Sequence, residues 1–388
     1  MSSAPQGPRQ AAAPTSKVRN SAQPHSGRPG GRAVSAPAGT GAEERTSAKR
    51  EATRRHGRPV LALGLVAVLA VLLLTAVASL AVGSGDVSFD DVLHGVLDPD
   101  LTVKGQLIVQ EVRVPRTVAA LLAGVALGLA GAVMQGVARN PLADPQLLGV
   151  NAGASVAVVC SISLLGFTAA TQYIWFGFLG ALLAALLVYG VGSLGREGAT
   201  PVKLALAGAA TSALLTSVTS AILLQDRGSY DQFRFWQLGA LTARSAEVLW
   251  QVSPFIAAGT LLALLLGPQL NALSLGDDLA RGLGQRIGAA RLTSALAVVL
   301  LCGSATVVAG PIGFVGLAVP HAARLLTGPD YRWVLPYSMV LAPIMLLVAD
   351  IIGRVVAPPG EVQVGVVTAA IGCIPFIWLV RRRKLVEL

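Results

Sequence analysis

The stretch Arg113–Gly153 reads RVPRTVAALLAGVALGLAGAVMQGVARNPLADPQLLGVNAG. Arg113 and Arg116 flank Pro115 at the head of a long apolar run, and inside it Gly124, Gly128 and Gly131 recur at helical spacing before Gln135. The run breaks at Arg139-Asn140-Pro141-Leu142-Ala143-Asp144-Pro145, then a second glycine- and alanine-rich run begins. In lipid, apolar surface alone gives helices no reason to associate, whereas small residues three or four apart let two backbones approach. A polar break bounded by prolines between two such runs is a tight turn at the membrane surface. The glycines therefore concern helix contacts rather than phosphate, and the chain reads as an all-α polytopic membrane protein.

Composition agrees. The 388 residues are 53% hydrophobic and only 13% charged, where a soluble domain carries roughly 25% charged residues. Mean hydropathy is +0.66, and several uncharged runs reach the roughly 20 residues that cross a bilayer. The net charge of +10 does not point to nucleic acid, because residues 1–58 alone hold eleven Lys/Arg against three Glu. That segment is rich in Pro, Ser, Gly and Ala, has no aromatic residue, and reads as a disordered basic cytoplasmic tail ahead of a transmembrane domain at 59–384. Electrostatic attachment to anionic lipid or nucleic acid is the alternative role for it. A basic leader before an apolar run also resembles a signal peptide, with Ala76-Val77-Ala78 as a cleavage-like site, but the run Val60–Val82 is long and many spans follow, so it reads as a retained helix.

Apolar runs between polar breaks give about ten spans, near 60–82, 115–138, 147–166, 171–194, 202–224, 247–267, 289–309, 311–326, 333–353 and 363–380. The eighth is short and contains Pro320 and His321, which suits a broken or tilted helix. With the basic tail in the cytosol, alternate loops hold Arg139, Arg196, Lys203, Arg281, Arg286, Arg291, Arg324 and Arg332, and Arg381-Arg382-Arg383-Lys384 also falls inside. Both termini are then cytoplasmic, as the positive-inside rule requires. The exceptions are Arg113, Arg116 and Arg354, at span boundaries on the outer side, and Arg227, Arg234 and Arg244, whose loop region also carries Asp226, Asp231 and Glu247. Snorkelling explains one outer arginine; three boundary arginines, two of them a helical turn apart, suggest a receptor for an acidic partner. Asp86–Gln110 is too polar to span and reads as an amphipathic connector on the outer surface.

The longest inner loop, Gln269–Arg291, reads QLNALSLGDDLARGLGQRIGAAR. Leu275, Leu279 and Leu283 recur at a spacing of four, and Gly282 and Gly284 end the pattern. A short exposed amphipathic helix of this kind suits a groove on another protein, the alternative being a membrane-surface helix. Asp350 and Arg354, four apart, suit an intrahelical ion pair, with a proton relay as the rival. His321 suits a hydrogen-bonding role rather than a metal. In the fifth span Thr211, Ser212, Thr216, Ser217, Thr219 and Ser220 either bond between helices or wet one side of a path. Cys160, Cys302 and Cys373 lack metal-ligand spacing and suit packing. No G-x-x-x-x-G-K-[ST] segment, catalytic triad or Cys/His cluster occurs, so neither catalytic residues, a bound cofactor nor a metal is expected, and any ATP must bind another chain.

Taken together, Arg113-Val-Pro-Arg116, the Gly124–Gln135 span, Arg139–Pro145, Leu148-Gly149, Trp236-Gln237-Leu238-Gly239, the Leu275–Gly284 loop, Gly313–Leu317 with Pro320-His321 and Arg324, and Asp350 with Arg354 resemble the FecCD-type permeases. These are the membrane subunits of ATP-binding cassette (ABC) importers for ferric siderophores, haem and cobalamin. The resemblance runs over about residues 60–384, and departs at Val362-Gln363-Val364-Gly365, where the family usually has a proline before the turn. It implies a type II ABC importer permease fold of ten transmembrane helices, a second permease subunit, two cytosolic ATPase subunits and an extracytoplasmic substrate-binding protein. It also implies docking of that protein at Arg113, Arg116 and Arg354, and ATPase coupling through Leu275, Gly276, Asp278, Leu279, Ala280, Leu283 and Gly284. Gly124, Gly128, Gly131, Gln135, Asn140 and Pro141 would serve helix packing or the pathway. The reading is a transport subunit, not an enzyme, in the cytoplasmic membrane, importing a ferric siderophore. Haem or cobalamin import is the alternative, and a proton-coupled carrier the rival that the scarcity of intramembrane acids disfavours.

Overall fold

The computed structural model describes residues 57–83, 87–167, 169–194, 200–225, 228, 230, 233, 236–241, 246–357 and 360–381. Residues 1–56 of the expected tail, Arg196, Asp226, Arg227, Asp231, Arg234, Arg244 and Arg382-Arg383-Lys384 lie outside them. All regular elements among the described residues are helical. In chain order they are α1 (Arg58–Ala81), α2 (Phe89–Leu97), α3 (Lys104–Ile108), a π-turn (Val109–Arg113), α4 (Val114–Ala138), a 3-10 turn (Pro145–Leu148), α5 (Val150–Leu165) and α6 (Ala170–Gly192). Then come α7 (Pro201–Gln225), α8 (Ala246–Leu265), α9 (Gly267–Ser274), α10 (Asp277–Gly282), α11 (Ile287–Ala309), α12 (Val315–Thr327), α13 (Tyr331–Val356) and α14 (Val364–Arg381).

Seven of these, α1, the α3–α4 rod, α6, α7, α8, α11 and α13, are long and apolar enough to cross a bilayer among the described residues, with α5 and Val364–Ile374 of α14 shorter. The eighth expected span changes character. Its helix starts only at Val315 and has 13 residues, because Gly310 (φ 73) and Phe314 (φ 66) turn the chain in the left-handed region before it can coil. Positive φ is costly for a residue with a Cβ, so Phe314 is held there by its surroundings.

Helix α4 is the centre. In the Lys104–Ala138 rod 78% of the most apolar window is buried, against 6% in α1. It packs on α13, α11, α12 and α8, and ten of its seventeen buried residues are Ala or Gly. A Cβ on Gly131 would collide with the carbonyl of Gly316 in α12. Gly153 in α5 and Gly180 in α6 meet in the same way, each Cβ position blocked by the other's carbonyl. Such crossings bring backbones to dispersion contact where leucines would hold them apart.

The rod is not regular throughout. Pro115 has no N–H for the carbonyl of Glu111, so the α-helical ladder cannot continue through it, and the chain widens into the π-turn at Val109–Arg113. Proline also explains a bond farther along. Pro320 leaves the Gly316 carbonyl without its i+4 donor, and Gln135 of α4 supplies one, Nε2 lying 3.3 Å from Gly316 O and 3.2 Å from Leu317 O. Arg324 in turn donates to Gln135 Oε1, which orients the amide.

Replacing Gly131 with Ala is therefore expected to cost about 1–3 kcal/mol, the usual range for forcing an extra carbon into a packed contact. Gly190→Ala is the control, since its added carbon meets nothing within 4 Å, and it should be neutral or slightly stabilising through helix propensity. Thermal melting of the two variants in detergent checks the contrast.

Candidate functional site

The residues singled out by sequence fall into three places along α4: its N-terminal end, which the charge pattern assigns to the outer side, its middle, and its C-terminal end, which the same pattern assigns to the inner side. At the outer end Arg116 sits between two carboxylates from distant parts of the chain. Its Nε and Nη2 lie 2.9 and 2.7 Å from Asp350 Oδ1, and Nη1 lies 2.7 Å from Glu361 Oε2. Asp350 Oδ2 is also 3.1 Å from Arg354 Nη2, the expected i,i+4 pair. Arg354 further donates to Ser79 O (2.9 Å), Ser79 Oγ (2.9 Å) and the Val82 carbonyl. Arg113 donates to the carbonyls of Leu80 (2.7 Å) and Ala81 (2.9 Å). These carbonyls end α1, where no intrahelical donor remains and the helix dipole is negative, so two guanidinium groups complete that terminus.

The three arginines are 4%, 6% and 4% exposed. Sequence places them at a membrane boundary, and the structure closes them into an internal knot rather than leaving a free cationic surface. Three arginines against Asp350 and Glu361 leave one positive charge in excess, and Arg113 has no carboxylate within ion-pair distance among the described residues. Over this end lies the expected amphipathic connector. Helix α2 starts with a capping box, Ser88 and Asp91 each bonding the other's backbone N–H, buries Val92 and exposes Phe89, Leu93 and Leu97. Gln110 of the π-turn donates to the Gly95 carbonyl and fastens α2 to the rod.

In the middle, Gly124, Gly128 and Gly131 face Pro343, Ser338 and Gly316, so all three are contact points with α13 or α12. Below them a cavity of about 390 Å³ is lined by Asp144, Gln146, Gly208, Ala209, Ser212, Gly313, Phe314 and Leu317. Burial pushes the Asp144 carboxyl above the usual carboxylate range, partly countered by the Gln146 amide donating to it at 2.8 Å. Of the α7 hydroxyls only Ser212 lines this cavity. Thr211 and Thr219 are buried, while Thr216, Ser217 and Ser220 are exposed; Ser217 and Thr219 bond carbonyls of their own helix at 2.9 Å. Sequence reading missed Asn151, whose Oδ1 accepts from Thr306 at 2.7 Å across α5 and α11; a lone asparagine in an apolar run was its only signal. The expected hydrogen bond to His321 is not seen at Nε2, which is buried without a partner among the described residues. The cysteines are unpaired, and no cluster of metal-binding side chains occurs among the described residues.

At the inner end α4 stops at Arg139, itself left-handed (φ 48). Asn140 Oδ1 accepts from Leu142 N at 2.9 Å and closes the turn that Pro141 occupies. The leucine loop stands beside this turn. Gly276 (φ 102) breaks the chain after Leu275, so α10 begins at Asp277, two residues later than the leucine spacing suggests. Leu275, Leu279 and Leu283 are each more than half exposed, and Ala280 is fully buried. Asp278 pairs with Arg281 at 2.9 Å on the open surface, where such pairs contribute little. Asp277 instead meets Arg139 at 2.6 Å and Arg291 at 3.0 Å. The departure at Val362–Gly365 leaves the start of α14 orderly: Val362 N bonds Gly353 O at 2.9 Å and Gly365 N bonds Gly239 O at 3.2 Å.

Residues 71–382 match the profile of the FecCD transport family. Over 277 residues the chain is 52% identical to the ferric enterobactin transport system permease protein FepD of Escherichia coli, covering 71% of this chain and 82% of that one. It is 40% identical over 336 residues to the iron(3+)-hydroxamate import system permease protein FhuB of Bacillus subtilis, 86% of this chain and 85% of that one. Among solved structures, a metal-chelate type ABC transporter in an inward-facing conformation superposes with a TM-score of 0.71 at 28% identity, over 82% of this chain and 98% of that one.

The outer knot makes a graded expectation. Asp350→Asn leaves Arg116 and Arg354 without their shared buried counter-charge and should cost about 3–5 kcal/mol. Glu361, on the more open side with 27% of its side chain exposed, should cost about 1–2 kcal/mol as Glu361→Gln. Chemical or thermal unfolding of the purified chain in detergent measures both.

Proposed function

The chain belongs to the FecCD transport family and is a multi-pass membrane permease of the ABC-importer kind, and from that premise we propose that it carries a ferric siderophore across the cytoplasmic membrane. It works as one of two permease subunits around a central path, with both termini in the cytosol. Two ATPase subunits bind below and a substrate-binding protein docks above. The observation that carries this reading is the pairing of a membrane bundle with a short loop helix whose leucines are left uncovered among the described residues: Leu279 in α10, with Leu275 and Leu283 at its flanks, stays exposed beside a buried Ala280. An amphipathic helix of this kind is a plug for a groove on a partner, and the chain has no phosphate-binding loop of its own. The 52% identity to a ferric enterobactin permease supports the substrate class.

ATP-driven closure of the partner would move α10, and α4 would carry that movement toward the outer knot. The cavity by Asp144 and Ser212 is the inner part of the path in this reading. Half of its lining is Gly, Ala or Ser (Gly208, Ala209, Ser212 and Gly313), beside the polar Asp144 and Gln146 and the apolar Phe314 and Leu317. Arg113 has no carboxylate within ion-pair distance among the described residues, and the one positive charge this leaves in excess at the knot would attract an acidic docking surface.

Three measurements test the reading. A deletion strain should lose uptake of labelled ferric siderophore and regain it with the intact gene; uptake unchanged by deletion would remove the substrate assignment. Leu279→Asp should reduce transport by tenfold or more, on the order of the roughly 2 kcal/mol that a buried interface anchor contributes, while the protein still reaches the membrane. Arg113→Gln keeps a donor for the Leu80 and Ala81 carbonyls but deletes the charge, and should weaken binding-protein affinity about fivefold, on the order of 1 kcal/mol. Unaltered affinity would separate the knot from docking.

A further inference from the structure

We propose that Asp277 is a positioning residue, a latch that fixes the leucine helix α10 to the inner ends of α4 and α11. The proposal rests on the reading of the leucine face as the ATPase contact, and adds the part that turns contact into force on the bundle.

Two features make α10 loose without such a latch. It has only six residues, and it hangs between glycines, Gly276 at φ 102 and Gly284 at φ 80, where rotation meets the least steric resistance. Ala280 is its one buried side chain. A push on Leu279 would then bend the loop rather than move the membrane helices. Asp277 removes that freedom at the first residue of α10. Arg139 reaches it from the end of α4 at 2.6 Å, and Arg291 from the first turns of α11 at 3.0 Å. All three side chains are less than one-third exposed, unlike the open Asp278–Arg281 pair, so water and salt screen them less. One carboxylate thereby joins three helices.

Arg139 supplies an independent sign. It occupies a left-handed position at the end of α4 (φ 48), where glycine fits without strain and is the common residue. Arginine brings there what glycine lacks, a guanidinium that spans the gap to Asp277.

The test uses the whole importer, permease with its ATPase and binding protein, reconstituted in vesicles with labelled ferric siderophore. Asp277→Asn is expected to leave the ATPase bound and hydrolysing ATP while the chelate moved per ATP falls about fivefold, within the range of coupling energies between linked sites. Asp277→Glu should restore most of the ratio. Arg139→Gly relieves the strained backbone and deletes only the reaching side chain, so it should match the uncoupling of Asp277→Asn without loss of thermal stability. A wild-type transport ratio in Asp277→Asn or in Arg139→Gly would overturn the latch. If Asp277→Asn loses hydrolysis and ATPase binding together, the residue is merely structural and the latch is again overturned. Failure of the unmutated chain to retain an ATPase is a separate result, and it removes the reading of the leucine face and the latch with it.

Discussion

A helix surrounded by lipid gains nothing by turning leucines inward, so the bundle depends on how near its backbones can come. Helix α4 meets that constraint with an Ala- and Gly-lined face, and α12 and α13 close on it at Gly131, Gly128 and Gly124. Those contacts place the other groups. Arg116 near one end and Arg139 at the other stand about 35 Å apart along a rod with a rise of 1.5 Å per residue. The outer knot and the inner latch are therefore fixed to the same rigid part, held from the side by contacts too close to slide.

Polar side chains in this bundle mostly repair backbone. Gln135 donates where Pro320 cannot, and Arg113 and Arg354 complete the terminal carbonyls of α1. Each uncovered carbonyl in an apolar medium would cost several kcal/mol. A sparse set of hydrogen bonds thus keeps these carbonyls satisfied inside a bundle whose buried residues are otherwise mostly apolar.

What sequence makes legible is local. The turn at Arg139–Pro145, the leucine loop and the Asp350–Arg354 pair need only residues a few positions apart, and hydropathy suffices for the long spans. Arg116 meeting Asp350 across 234 positions leaves no such trace, and neither does Asp277 meeting Arg139 across 138. The boundary arginines look exposed in sequence because charge at a span end normally faces headgroups, and nothing local shows that acids and free carbonyls converge on them. The eighth span looks longer than its helix for a related reason. Hydropathy records that Gly310–Phe314 is apolar, while the positive φ angles that stop the helix depend on neighbouring elements.

The π-turn at Val109–Arg113 has a consequence of phase. One residue in a regular helix advances the azimuth by about 100°, and the wide turn absorbs such an increment between α3 and α4. The outer cover, fastened through Gln110 and the fully buried Val109, and the membrane rod, fixed by its glycines, can therefore each keep the bearing their own contacts demand. Loss or gain of a residue there would rotate the cover around the rod while leaving Arg116 aimed at Asp350. The turn works as a collar between two parts of one helix, so the outer face can be re-aimed without recutting the membrane bundle beneath it.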